Sequence, residues 1–104
     1  MKFVNLTPHD ITVVVNGNKI VFPKTNTVAR CKQHTTRVDT IDGINIFATR
    51  FGDVTDLPPA EKETIYIVSA LVKDRVSNRT DIVSPGNLIR DEKGVVIGCE
   101  GFNI

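Results

Sequence analysis

Apolar and polar residues alternate along most of this chain, and the period is that of strands. Ile11, Val13 and Val15 share one face opposite Thr12 and Val14, and Asn16-Gly17-Asn18 then supplies the positive-φ residues of a tight hairpin into Lys19–Phe22. Upstream, Phe3–Asn5 predicts a short first strand. It ends in the turn Leu6–Asp10, where Pro8 fixes φ and lacks a donor. Beyond Pro23, Val28, Arg30 and Lys32 alternate with Ala29, Cys31 and Gln33, predicting a strand over Thr27–Gln33. Thr35–Ile41 predicts another, and the Asp42-Gly43 turn leads into Ile44–Phe51 as a second hairpin. Gly52–Lys62, with Pro58 and Pro59, reads as the longest exposed loop.

Ile65–Ser69 is apolar on both faces, which predicts a central strand covered on both sides. Ala70–Val76 fits two helical turns capped by Ser69, with Leu71, Val72 and Val76 inward; it fits continuation of the strand as well. Ser77–Thr80 reads as a turn, Asp81–Ser84 as a short strand and Pro85-Gly86-Asn87 as another turn. A last hairpin joins Leu88–Asp91 to Val95–Glu100 across Glu92-Lys93-Gly94, and Gly98 and Gly101 predict a bulge or a close backbone approach.

Composition strengthens the strand reading. Val, Ile and Thr supply 36 of the 104 residues, against only 4 Leu and 4 Ala, and branching at Cβ favours a pleated surface over a helix. The expected fold is all-β: one domain over 1–104, a small closed barrel or sandwich of seven or eight short antiparallel strands, with at most one short helix near 70–76. No internal repeat is present.

Charge narrows the function. A formal net charge of +1 gives no electrostatic footprint for duplex nucleic acid. No apolar run is long enough to span a bilayer and none resembles a secretion signal, so a cytoplasmic protein without membrane partners is expected. Cys31 and Cys99 stand alone, either as reduced buried thiols or as a disulfide or reactive cysteine. His9 and His34 lack partners at metal-ligand spacing, and no phosphate loop, nucleophile elbow or zinc-protease motif occurs; no metal, no cofactor and no enzyme activity are expected. His9 beside Asp10 could act as an oriented base, but the turn reads more simply as one that serves its own backbone. Ser69 and Ser84 read more simply as cap and turn residues than as nucleophiles.

The densest polar cluster runs through Lys73-Asp74-Arg75, Arg79-Thr80-Asp81, Ser84–Asn87 and Arg90-Asp91. Its structural reading is a set of Arg–Asp pairs that fix irregular backbone. Its functional reading is an anion or nucleotide pocket, because guanidinium groups offer planar paired donors to phosphate. In that second reading Arg75, Arg79 and Arg90 pair phosphates, Asp81 and Asn87 read polar edges, Tyr66 and Ser69 face the ligand, and Thr7 and His9 complete a wall.

The turn Asn5-Leu6-Thr7-Pro8-His9, the strand Tyr66-Ile67-Val68-Ser69, and Ser84-Pro85-Gly86 followed by Arg90-Asp91-Glu92-Lys93-Gly94-Val95-Val96-Ile97-Gly98-Cys99 resemble a family of small phage, prophage and actinobacterial proteins. The resemblance spans nearly the whole chain and implies a setting of phages or mobile elements, with no activity attached. Two expectations follow in that setting. One is a non-enzymatic homo-oligomer that sequesters an anionic small molecule, such as a cyclic or ADP-ribose-type signalling nucleotide, to counter host defence. The other is a protein-interaction or structural accessory module that docks on a host or virion protein. An exposed apolar patch or strand edge, with Arg and Asp paired to each other, would favour the second.

Overall fold

A computed structural model describes residues 1–104. Eight strands and one helix follow in the order β1 (Lys2–Asn5), β2 (Ile11–Val15), β3 (Asn18–Phe22), β4 (Arg30–Ile41), β5 (Ile44–Thr55), β6 (Thr64–Ile67), α1 (Ala70–Arg75), β7 (Ile82–Arg90) and β8 (Val96–Asn103). The two hairpins read from Asn-Gly and Asp-Gly form as written: Asn16, Gly17, Asp42 and Gly43 all take positive φ, the mirror-image turn that matches strand twist. The region at 70–76 resolves to a helix. Ser69 accepts a bond from the Val72 amide, and Val72 is buried beneath it.

Six strands form one sheet in the order β1-β6-β7-β8-β2-β3, and β4-β5 stand apart as a two-stranded sheet. The expected all-antiparallel, closed architecture is corrected on both counts. β1 with β6, β6 with β7 and β2 with β8 run parallel. The physical reason lies in α1: a parallel pair needs a crossover of a dozen or more residues, and residues 68–81 with their helix provide it between β6 and β7. Closure fails because no ladder joins the outer strands β1 and β3. The sheet instead curls into a half-barrel in which they meet through side chains. Asn5 Nδ2 donates to the Phe22 carbonyl at 2.8 Å, and the Phe3 and Phe22 rings lie 5.2 Å apart, both beside Phe102.

Two breaks expected in the chain are also absent. Arg30–Ile41 is one strand through His34, and Ile82–Arg90 runs straight through Pro85-Gly86-Asn87. Proline survives there because β6 pairs with β7 only at Ile82 and Val83, so at Pro85 the missing N–H faces a side with no neighbouring strand. Gly98 meets its expectation: a Cβ there would lie 3.1 Å from the Thr12 carbonyl oxygen of β2.

The core is small. Leu6, Ala29, Tyr66, Val68, Val72 and Ile82 form it, with Val4, Cys31, Val54, Leu57 and Val76 packed around. It sits where α1 and the root of β4-β5 cover β1, β6 and β7. Beyond the root, every residue from Lys32 to Asp53 is exposed.

Candidate functional site

The residues expected to line an anion pocket are bound to the chain itself. Arg79 donates Nε and Nη2 to the two Asp81 carboxylate oxygens at 3.0 and 2.6 Å, and Nη1 to the Pro58 carbonyl at 2.8 Å. Its guanidinium lies 5.9 Å from the centre of the Tyr66 ring. Tyr66 is buried, and its hydroxyl donates to the Pro59 carbonyl. These contacts order the charges: the Arg79 hydrogen bonds hold the Asp81 carboxyl below its ordinary range, and burial, then the Glu61 carboxylate, pushes the Tyr66 phenol up. Arg75 donates to the Phe51 carbonyl and Arg90 to the Gly94 carbonyl within its own hairpin. Ser69 caps α1, and Asn87 holds a left-handed residue in β7 at φ 53°. Thus Tyr66, Arg79 and Asp81 come together; Thr7 and His9 meet each other elsewhere, in the turn after β1.

Asn5, which the sequence reading passed over, organises that turn. Its Nδ2 donates to the His9 and Phe22 carbonyls, and its Oδ1 accepts from the Thr7 amide and hydroxyl at 2.9 and 2.7 Å. All its polar capacity is used while it is 2% exposed. The signal available was an asparagine two residues before Thr7, the spacing of a side chain that closes a turn on its own backbone.

Cavities do not gather the expected residues either. His9 lines one of about 270 Å³ between β2 and the β7-β8 hairpin, with Thr12, Leu88, Ile97 and Cys99. Ser69 lines another of about 230 Å³ at the arm root, with Leu6, Cys31 and Leu71. No group of three or more metal-ligating side chains stands together.

What the molecule presents outward is the β4-β5 arm. Its root is fixed by Cys31, Val54 and Leu57 against the core and by the Arg75 and Arg79 bonds to the 51–58 segment. Strand alternation puts Ile44 and Ile46 on one face, with Ile41 paired to Ile44; Phe47 and Phe51 lie on the other. Ile44 is 66% exposed and Phe47 60%. Neither face is covered by any layer, so this two-stranded ribbon carries apolar side chains into water on both sides. An isolated hairpin is marginally stable by itself, and exposed apolar patches mark surfaces that meet other molecules. Comparison of the chain with protein-family models, with curated proteins and with solved structures finds no match.

Proposed function

We propose that this chain is a non-enzymatic protein-interaction module, an accessory protein of a phage or mobile element, that docks on a protein partner through the β4-β5 arm. The observation that carries this reading is the arm itself: 22 consecutive exposed residues, Lys32–Asp53, with Ile41, Ile44, Ile46 and Phe47 among them. The Arg–Asp pairing supports it. Arg79, whose free guanidinium would be the natural phosphate partner, already spends three donors within the chain. The bonds that Arg75 and Arg79 make to the 51–58 segment then have a use, since they aim the arm.

The test is capture from host lysate on immobilised protein. One stoichiometric protein is expected to be retained by the native chain and lost by the Ile41→Lys, Ile44→Lys double variant, whose exposed positions leave folding intact. A panel of linear, cyclic and ADP-ribose-type nucleotides is expected to leave the thermal midpoint unmoved. A ligand at 100 times its Kd adds about 2.7 kcal/mol. A midpoint rise of about 10 °C with one nucleotide class, or retention indifferent to the double variant, would overturn the reading.

A further inference from the structure

The two edges of the arm are not alike. β4 is protected: its pairing with β5 slips at a bulge between Arg37 and Asp39, and the Asp39 carboxylate accepts the Thr40 amide at 2.7 Å. Bulges and side chains laid on outward amides are the ordinary means by which an edge strand is kept from pairing. β5 has its one bulge near the root, between Phe51 and Val54, and none of these devices from Ile44 to Thr49. From Ile44 to Thr49 it reads Ile-Asn-Ile-Phe-Ala-Thr, without a charge, a proline or a glycine, and its alternation is unbroken. Near the root the same edge is occupied, because Arg75 of α1 donates to the Phe51 carbonyl. The open stretch is therefore Ile44–Arg50.

We propose that this edge pairs with the same edge of a second copy of the chain. The pairing is antiparallel across a two-fold axis at Phe47, so that two arms make one four-stranded sheet. In that register Phe47 faces its twin, Ile46 faces Ala48 of the second copy and Asn45 faces Thr49. Every residue that lends its edge receives the same from the other copy, as an isologous interface requires.

Area leaves room for a second copy, and charge favours it over a nucleic acid or an anionic membrane. The accessible surface is 7531 Å², whereas a compact monomer of this mass exposes about 5,800 Å². The excess, roughly 1,700 Å², is about twice what each partner of a standard stable interface buries. The radius of gyration agrees, at 16.6 Å against about 13 Å for a compact chain of this length. Within Arg30–Thr55 stand Arg30, Lys32, Arg37 and Arg50 against Asp39, Asp42 and Asp53. The one ion pair of the molecule, Arg79–Asp81, uses none of them. A near-neutral surface of unpaired opposite charges suits a copy of itself; a nucleic acid or an anionic membrane selects for one sign. The inference rests on the docking reading of the arm and deepens it: pairing sets Ile44 and Ile46 of both copies on one continuous face, so the platform offered to a further protein is shared.

Sedimentation of the native chain is expected to give twice the mass of one chain, and Phe47→Asp, which brings like charges together at the axis, the mass of one. Directly opposed residues of paired strands lie close enough for a disulfide. Phe47→Cys, in a Cys31→Ser background, is thus expected to oxidise to a covalent dimer, and this readout holds even if Phe47→Asp does not fold. A native chain that sediments as a monomer at high micromolar concentration overturns the proposal, as does a dimer that survives Phe47→Asp while Phe47→Cys stays uncrosslinked. A monomer that still captures a lysate protein through Ile41 and Ile44 removes the second copy and keeps the docking reading; loss of arm-dependent capture with the Phe47→Cys dimer intact does the reverse.

Discussion

At the scale of single residues, the decisive side chains are those that satisfy backbone groups, and Asn5 is the sharpest case. Its amide nitrogen faces two carbonyl oxygens and its amide oxygen faces two donors. Asn5→Ala leaves those groups buried without partners, at about 1–3 kcal/mol each for the ones that water cannot reach. Asn5→Asp is expected to be worse than Asn5→Ala although it is nearly isosteric, because it aims a carboxylate at two carbonyl oxygens; denaturant midpoints of the two variants give the order. The Arg79–Asp81 pair yields a pH signature. The folded carboxyl is held low, so its contribution is present above the ordinary carboxylate value and is lost as pH falls through the folded one. Arg79→Ala should lower stability by about 2 kcal/mol at neutral pH, with the difference from the native chain shrinking below about pH 4. Tyr66 acts at the other end of the scale. Its raised value means stability is full below the ordinary phenol range and declines as pH rises beyond about 10. With one Tyr and no Trp in the chain, tyrosinate absorbance reports it alone, and its appearance is expected to coincide with unfolding.

At the scale of elements, legibility followed the locality of the signal. Asn16-Gly17 and Asp42-Gly43 specify their turns with two residues, and the Ser69 cap needs only three more. Ser69→Ala is expected to cost about 1 kcal/mol, the usual loss of a cap, and thermal unfolding checks it. Pro85-Gly86-Asn87 misled because a proline breaks a strand only where the side its missing N–H faces is paired, and pairing is decided by strands far away in sequence. That the second hairpin stands out as an exposed arm was not legible for a related reason. Alternation tells which residues share a face and is silent on whether any layer covers that face. One local clue existed: Ile44, Ile46 and Phe47 place apolar groups on both sides of β5, which a strand with one face in water does not do. The charged turns were legible as a cluster, but whether an arginine faces a ligand or its own chain depends on where Pro58, Phe51 and Gly94 come to lie.

At the scale of the whole molecule, the mixed sheet, the half-barrel and the arm are one arrangement. The α1 crossover makes β6 and β7 parallel and at the same time covers the sheet face on which the arm root packs. The strand order also sets a sequence in time. Lys2 pairs with Thr64, so β1 finds its neighbour only across 61 intervening residues, while β4 and β5 meet across the two residues Asp42 and Gly43. Short loops close in microseconds or less, and pairings between distant segments are the slow ones. As the chain leaves the ribosome, the hairpin of the arm can therefore form before β6 exists to receive β1, and its open strand is on offer before the body has assembled. Under the proposed edge pairing, two chains growing on one messenger would meet at that stage, during translation and ahead of the completed fold.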